Sequence, residues 1–310
     1  MSPARRVGAA PDAVRAPRPL PIGVFDSGIG GLTVLRALLA ALPSERFIYL
    51  GDTARLPYGT KTSATVERYS VQAAQTLVAR GIRCLVVACN TASSVALPAI
   101  RGRLRPLPVV GVIDPGADAA CAATRSGRIA VLATERTVSG GAYERAILER
   151  RPGSTVVAVP APLFVALAEE GLVEGPIVEG IARHYLAPLF GGPQAAGAPD
   201  ASIRDIGAPD TIVLGCTHFP VLAGAIRAVV GSHIAIVDSA ETTARAVREA
   251  LQAGGGGRIG GTEVSAETRN AGAGAQMQFL ATDGVERFAR VGGRFLGRVI
   301  RAKEVELVDL

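Results

Sequence analysis

The chain has 310 residues, of which 48% are hydrophobic and 19% are charged. This apolar content excludes a globally disordered protein, and the length predicts two domains or one large α/β unit. The formal net charge is +6, and half of it lies within residues 1–20, where four arginines stand against one aspartate. The remaining positive charge is too dilute for a nucleic-acid-binding surface, so we expect no nucleic acid among the partners.

The first predicted segment, residues 1–20, is rich in arginine and proline. It has no apolar stretch that could serve as a secretory signal, and its prolines and lack of helical periodicity favour a disordered extension over an organellar transit peptide. Elsewhere in the sequence, no apolar run reaches the roughly 18 residues that a membrane-spanning helix needs. The sequence therefore predicts a cytoplasmic protein without a membrane partner.

From Pro21 onward, short apolar runs alternate with stretches of helical spacing. Continuous runs rich in β-branched residues predict strands that are buried on both sheet faces, and their alternation with helices predicts a parallel α/β fold. The predicted strands are Ile22–Phe25, Phe47–Leu50, Cys84–Ala88, Val109–Ile113, Arg128–Leu132, Thr155–Val159, Thr211–Leu214 and Ile234–Val237. The clearest predicted helices are Gly31–Leu42, Lys61–Arg80, Ser139–Arg150 and Phe219–Val230. Two segments rich in small residues, 191–209 and 253–275, are predicted to be surface loops.

The turn after the first predicted strand reads FDSGIGGLTVL and carries Asp26 and Ser27. It differs from a dinucleotide-binding fingerprint, because Thr33 stands where the third glycine belongs. Asp26 is predicted to be an acid/base helper or to bind an ammonium group, with a helix N-cap as the alternative, and Ser27 to donate a hydrogen bond. Farther along, GDTARLPYGTKT has the turn residues of a binding loop around Tyr58 and Gly59, although an ordinary surface loop would contain similar residues.

Cys89 and Cys216 each follow a predicted buried strand and precede a predicted helix. Their segments, CLVVACNTASS and TIVLGCTHFPV, belong to a weak internal duplication, which predicts two similar halves that face each other across a cleft. Because ligands of open α/β sheets bind at the carboxyl ends of the strands, we expect both thiols in one pocket, with pKa values lowered by the helix N-termini. Asn90, Thr91 and Thr217 beside them are donors suited to a carboxylate.

The other two cysteines, Cys84 and Cys121, are predicted to be small buried hydrophobic residues. The same structural role is the alternative to a catalytic role for Cys89 and Cys216. The four cysteines are widely spaced in a chain large enough to need no disulfides, so they are predicted to be reduced thiols. The tightest potential ligand pair is Cys216 with His218, and a zinc site would need two further ligands. We therefore expect no metal.

The longest motifs follow one another from Pro21 to the C-terminus. They are GVFDSGIGGLTVL, YLGDTARLPYGTKT, ACNTAS, GVIDPG, LATERTVSGGAY, LGCTHFP, VDSAETTA and ATDGVERFARVGGRFLG. In this order they resemble the cofactor-independent glutamate racemases of the aspartate/glutamate racemase superfamily. The resemblance implies conversion of L-glutamate to D-glutamate, a peptidoglycan precursor, without a cofactor. Proton transfer that inverts a stereocentre needs a base on one face of Cα and an acid on the other, so a single thiol cannot suffice.

The resemblance assigns roles to particular residues. Cys89 and Cys216 become the proton donor and acceptor pair, with Asp26 near the first and His218 near the second. Glu169 resembles a further carboxylate that assists at the second cysteine, although the adjacent glutamate leaves that choice open. The implied substrate contacts are Asp26, Ser27, Tyr58, Gly59, Asn90, Thr91, Thr217 and His218.

The same resemblance implies two α/β domains that are discontinuous in sequence and related by a pseudo-twofold axis. After a disordered tail at residues 1–20, residues 21–112 and 238–310 form the first domain, and residues 113–237 form the second. A homodimer is implied by the family alone.

Three other functions stay open at this point. A racemase for another amino acid, such as aspartate, would share the two-thiol chemistry and differ only in its pocket, and the GDTARLPYG and CTHFP motifs favour glutamate. A non-catalytic small-molecule sensor could keep the fold, but the retention of both cysteines, Asp26 and His218 argues against it. A thiol hydrolase would need one nucleophilic cysteine, a histidine base and an oxyanion hole, which leaves the second cysteine unexplained.

Overall fold

The computed structural model describes residues 19–190, 207–253 and 277–310. The extension predicted at residues 1–20 and the loops predicted at 191–209 and 253–275 lie almost entirely outside these ranges. The described residues contain two separate parallel β-sheets and the helices that cover them.

Strands and helices alternate along the chain in three stretches. The first contains β1 (Ile22–Asp26), α1 (Leu32–Ala41), β2 (Phe47–Gly51), α2 (Ser63–Ala79), β3 (Cys84–Val87), α3 (Asn90–Val95), α4 (Leu97–Arg103) and β4 (Val109–Gly111). The second contains α5 (Ile113–Ala123), β5 (Arg128–Ala133), α6 (Glu135–Ser139), α7 (Ala142–Arg150), β6 (Thr155–Pro160), α8 (Leu163–Glu170), α9 (Pro176–Phe190), β7 (Thr211–Gly215), α10 (Ala223–Val230) and β8 (Ala235–Asp238). The third contains α11 (Ser239–Ala253), β9 (Met277–Ala281), α12 (Val285–Leu296) and β10 (Val305–Leu307).

The two sheets repeat one strand order. The six-stranded sheet runs β10-β9-β2-β1-β3-β4, the four-stranded sheet runs β6-β5-β7-β8, and all neighbouring strands are parallel. In this repeat β1 corresponds to β5, and β3 corresponds to β7. The predicted fold class, two similar parallel-sheet α/β units, is confirmed.

Each sheet defines one lobe of the molecule. The first lobe is the six-stranded sheet with α1–α4 and α12, and the second lobe is the four-stranded sheet with α5–α10. Helix α11 packs on both α1 and α5 and so connects the lobes. The exact residue boundaries of the two domains stay a prediction.

All eight predicted strands are present, with ends that differ by one or two residues. Two predicted helices begin later than expected. A break at Gly140 and Gly141 separates α6 from α7, and Gly141 has φ +60°, a conformation that suits glycine. The helix predicted at Phe219–Val230 is the second one: its first four residues, Phe219–Leu222, form a 3-10 turn, and α10 follows them. The sequence does not predict β9 or β10, because β9 directly follows a Gly-rich segment and β10 has only three residues, two of them exposed.

The central strands β1, β3 and β7 are buried along their whole length. One continuous set of buried apolar side chains extends from the first sheet through α1 and α12 to the second sheet. The hydroxyl of Thr33 on α1 donates to the backbone carbonyl of Thr217 at 3.0 Å, which fixes the start of α1 against the end of β7. Within the described ranges, no helix has the length and apolar character required to span a membrane.

Candidate active site

A cavity of about 310 Å³ lies between the carboxyl ends of the two sheets. The first lobe lines it with Ser27, Leu56, Pro57, Tyr58, Gly59, Thr60, Cys89, Asn90 and Thr91. The second lobe lines it with Thr134, Glu135, Pro162, Val165, Ala166, Glu169, Cys216, Thr217 and His218. The two thiols therefore share one cavity, and of the predicted site residues only Asp26 lies outside the cavity wall.

The Cys89 thiol lies at the N-cap of α3 and is 5% exposed. It donates to the Ser27 hydroxyl (Sγ to Oγ 3.3 Å) and accepts from the backbone amide of Ala92 (3.4 Å). Burial raises the pKa of the thiol most, and the negative charge of Asp26 raises it further. Together they outweigh the hydrogen bonds that lower it, so the pKa is about 12. The expected lowering by the helix N-terminus is therefore wrong at Cys89, and this sulfur holds its proton at neutral pH.

The Cys216 thiol follows β7 and is 6% exposed. The predicted α-helix does not begin directly after it, because the 3-10 turn Phe219–Leu222 intervenes. Its sulfur lies 3.8 Å from Nδ1 of His218. The two thiols thus differ in their charged neighbours: Cys89 is close to a carboxylate, and Cys216 is in contact with an imidazole.

The imidazole of His218 bridges Cys216 and Glu169, with Nε2 3.1 Å from Oε1 of Glu169 on α8. Burial lowers the pKa of His218, but the hydrogen bonds with Cys216 and Glu169 raise it by more, to about 10. Burial raises the pKa of Glu169, but its hydrogen bonds with His218 and Arg287 bring it below the usual value. At neutral pH the pair is therefore an imidazolium and a carboxylate. Glu170 is exposed, so it is Glu169 that the fold brings to this site.

Asp26 ends β1 behind the cavity wall and is 1% exposed. Its Oδ2 accepts from the backbone amide of Gly28 at 3.0 Å and lies 3.5 Å from the Tyr49 hydroxyl, while Oδ1 has no partner among the described residues. Burial raises the pKa of Asp26, and the charge of His218 lowers it. The negative charge in turn helps to raise the pKa values of Cys89 and His218. Direct contact between Asp26 and a substrate stays a prediction.

The loop after β2 reaches across the cleft at Tyr58 and Gly59. The Tyr58 hydroxyl donates to the carboxylate of Asp52, which also accepts from Arg55 at 2.7 Å. Tyr58 lines the cavity while its hydroxyl is bonded to Asp52, and direct contact between Tyr58 and a substrate stays a prediction. A Cβ at Gly59 would lie 2.8 Å from Cβ of Thr134 in the second lobe, so this close approach requires glycine.

Asn90 starts α3, lines the cavity and is 2% exposed. Its Oδ1 accepts from the hydroxyl of Tyr143 on α7, in the second lobe, at 2.7 Å. This bond fixes the orientation of the amide, so Nδ2, which has no partner among the described residues, is left to donate to a ligand. Tyr143 was not predictable as a site residue, because it lies 53 positions from Asn90 and only the approach of the two lobes joins them.

Three threonine hydroxyls meet where the lobes join. Thr91 Oγ1 lies 3.0 Å from that of Thr134 and 3.4 Å from that of Thr137, and the latter two are 3.1 Å apart. Thr134 lines the cavity but was not among the site residues predicted from the sequence. The internal duplication could have indicated it. Strands β1 and β5 are equivalent in the two sheets, and Thr134 follows β5 just as Ser27 follows β1.

The chain is similar to known proteins in both sequence and fold. The family model described as Asp/Glu/Hydantoin racemase matches residues 22–186. A glutamate racemase of Geobacter metallireducens is 47% identical over 89% of this chain and 92% of that protein. The crystal structure of glutamate racemase from Francisella tularensis in complex with D-glutamate has a TM-score of 0.76 at 30% identity, covering 94% of this chain and 97% of that one. Glutamate racemase from Thermus thermophilus in complex with β-chloro-D-alanine gives 0.74 at 40% identity, with the same coverage of 94% and 97%.

Proposed function

Because the chain belongs to the glutamate racemases of the Asp/Glu/hydantoin racemase family, we propose that it interconverts L- and D-glutamate by proton transfer through Cys89 and Cys216, without a cofactor. One observation carries the two-thiol proposal. Cys89 follows β3, Cys216 follows the equivalent strand β7, and both line a single cavity. A base on one face of Cα and an acid on the other are what inversion by proton transfer requires.

Each turnover removes one proton from Cα and returns another. One sulfur, as a thiolate, takes the α-proton, and the electron pair left on Cα forms a carbanion conjugated with the α-carboxylate. The other sulfur, as a thiol, delivers its proton to the opposite face, and the inverted amino acid leaves. The two sulfurs end with exchanged protonation states, which proton exchange with solvent resets. Solvent hydrogen therefore enters at Cα of the product.

The unequal surroundings of the thiols set the resting state. Cys89, with a pKa of about 12, carries a proton. Protonated His218, 3.8 Å from the Cys216 sulfur, stabilises negative charge there. We therefore assign the protonated sulfur of the free enzyme to Cys89.

The carbanion needs stabilisation from the protein, since no electron-withdrawing cofactor is part of the proposal. Ser27, Asn90, Thr91 and Thr217 present donors from both lobes to the cavity. Donors that are already oriented before the reaction stabilise a developing negative charge without the cost of reorganising water. We assign the α-carboxylate, where this charge accumulates, to these groups.

The proposed biological role is the supply of D-glutamate for peptidoglycan synthesis. This role, the cytoplasmic location and the homodimer stay predictions.

Incubation of L-glutamate with the purified, dialysed protein and no added cofactor tests the proposal. We expect the circular-dichroism signal of L-glutamate to decay to zero and that of D-glutamate to do the same. In D₂O the product should carry deuterium at Cα. An unchanged signal with folded protein contradicts the proposed activity, faster turnover of aspartate contradicts the substrate, and a requirement for pyridoxal phosphate contradicts cofactor independence.

Tyr143→Phe should lower kcat/KM for glutamate, because Asn90 is one of the donors assigned to the α-carboxylate. The substitution keeps the ring but removes the donor that orients the Asn90 amide. We expect kcat/KM to fall about 5- to 10-fold, the equivalent of one hydrogen bond of about 1 kcal/mol. Steady-state kinetics from both enantiomers measure this loss. Tyr185→Phe, which removes a hydroxyl outside the cavity wall, should leave kcat/KM unchanged, and an equal change in both variants would contradict the role of Tyr143.

A further inference from the structure

Helix α12 of the first lobe lies against the acid/base residues of the second lobe. The guanidinium of Arg287 donates to Oε2 of Glu169 at 2.7 Å, and that of Arg294 donates to the Glu169 backbone carbonyl at 3.3 Å. The buried ring of Phe295 meets the imidazole of His218 edge-on, with ring centroids 5.2 Å apart. One helix thus supports both Glu169 and His218 from outside the cavity wall.

The Glu169 carboxylate is shared between two charged donors. Its Oε1 lies 3.1 Å from Nε2 of His218, and its Oε2 lies 2.7 Å from Arg287. The Glu169 side chain is 14% exposed, whereas that of Arg287 is 45% exposed. With one donor on each oxygen, rotation of the carboxylate about its terminal bond is restricted.

We infer that Arg287 is a positioning residue for the acid/base group at the second cysteine, because it holds Oε2 of Glu169 and thereby keeps Oε1 on His218. The inference rests on the proposed function, in which His218 stabilises charge on Cys216. Arg287 contacts neither thiol and lies outside the cavity wall, so its effect passes through Glu169.

The charges around His218 indicate how its pKa should change when Arg287 is removed. The titratable and charged groups that face His218 or its carboxylate partner are Asp26, Cys216, Glu169, Arg287 and Arg294. Glu169 is among the groups that raise the pKa of His218 to about 10 against the effect of burial. Without Arg287, the carboxylate is free to turn toward water, and His218 loses a partner that favours its protonated form. The pKa of His218 should then fall.

The kinetic test compares Arg287→Met and Arg287→Lys with a matched control on the same helix. In Arg287→Met we expect kcat to fall about 10-fold, since a misplacement of about 1 Å can cost up to about 100-fold. Activity depends on protonated His218 and is lost as the pH rises through its pKa, so the alkaline limb of the pH profile should move to lower pH. Lysine at this position should restore part of kcat. Arg290→Met changes an exposed arginine three residues away and should leave both kcat and the profile unchanged.

A spectroscopic measurement follows His218 directly. The chain has three histidines, so a protein labelled with ¹⁵N-histidine gives a small set of imidazole signals. The His218 signal, assigned by its loss in His218→Gln, should report a protonated ring to about pH 10 in the parent. In Arg287→Met the ring should lose its proton at lower pH, and a rise in the pKa of His218 would contradict positioning by Arg287.

The Glu169→Gln background shows whether Arg287 acts through the carboxylate. If it does, adding Arg287→Met to Glu169→Gln changes kcat by less than about 2-fold, because the two residues share one interaction. A full further loss in that background, or a parental pH profile in Arg287→Met alone, overturns the inference. If the parent does not racemise glutamate, the proposed function fails, while the histidine titration still tests the positioning role.

Discussion

Cys89→Ala and Cys216→Ala are each expected to lower kcat for glutamate racemisation by about 1,000-fold or more, because a positioned acid or base contributes about 10²- to 10⁴-fold. Each substitution leaves one face of Cα without its proton donor or acceptor. The two sulfurs enter the cavity from different lobes, so we expect that neither can take over the role of the other. Circular dichroism of both glutamate enantiomers measures the loss.

Isotope exchange distinguishes a missing thiol from a damaged fold. A variant that keeps one thiol still has a base for the enantiomer whose α-hydrogen faces it. In D₂O that enantiomer should exchange its α-hydrogen with retention of configuration, and the two variants should prefer opposite enantiomers. Exchange of both enantiomers by one variant would contradict the assignment of one thiol to each face.

Cys121→Ala is the matched control for both cysteine variants. This thiol is partly buried on α5, outside the cavity wall, and contacts the backbone carbonyl of Ile147. We expect its kcat and KM to equal those of the parent. Undiminished racemisation in either Cys89→Ala or Cys216→Ala would end the two-thiol account.

Gly30→Ala is expected to lower kcat/KM about 100-fold, as a displacement of about 1 Å in an acid/base group can do. A Cβ at Gly30 would collide with Nδ1 of His218 and lie 2.5 Å from Oγ1 of Thr217. His218 cannot retreat without losing Glu169 or colliding with Phe295, which pack against its other sides. Kinetics and the ¹⁵N-imidazole signal of His218 both measure the displacement.

Gly102→Ala provides the comparison for this substitution. Gly102 lies in α4, and a Cβ there meets no atom within 4 Å. Alanine is favoured over glycine in a helix by up to about 1 kcal/mol, so this variant should be at least as stable and as active as the parent. Full activity in Gly30→Ala would show that His218 tolerates the displacement, contrary to the proposed mechanism.

The strands were predictable where burial alone determines the sequence. Cys84–Val87 and Thr211–Gly215 are buried on both faces, and such strands read as unbroken apolar runs. Val305–Leu307 at the sheet edge has no such signature, because two of its three residues are exposed. The break between α6 and α7 depends on the positive φ of Gly141, which an amphipathic pattern does not reveal.

The thiols were predictable because each has a local signature, an apolar strand that ends in cysteine and a hydroxyl- or amide-bearing pair. The groups that tune them were harder to predict. Arg287 lies 118 residues from Glu169, and no local pattern links the two. The raised pKa of Cys89 likewise depends on burial and on the nearby charge of Asp26, both of which arise only in the folded chain.

The different charges beside Cys89 and Cys216 cannot favour one direction of the reaction at low substrate concentration. L- and D-glutamate are mirror images with identical free energies in water, so their equilibrium constant is one for any catalyst. The Haldane relationship then requires equal kcat/KM for the two enantiomers, although one thiol lies near an aspartate and the other beside an imidazolium. The enantiomer with the lower KM must therefore have a kcat that is lower by the same factor.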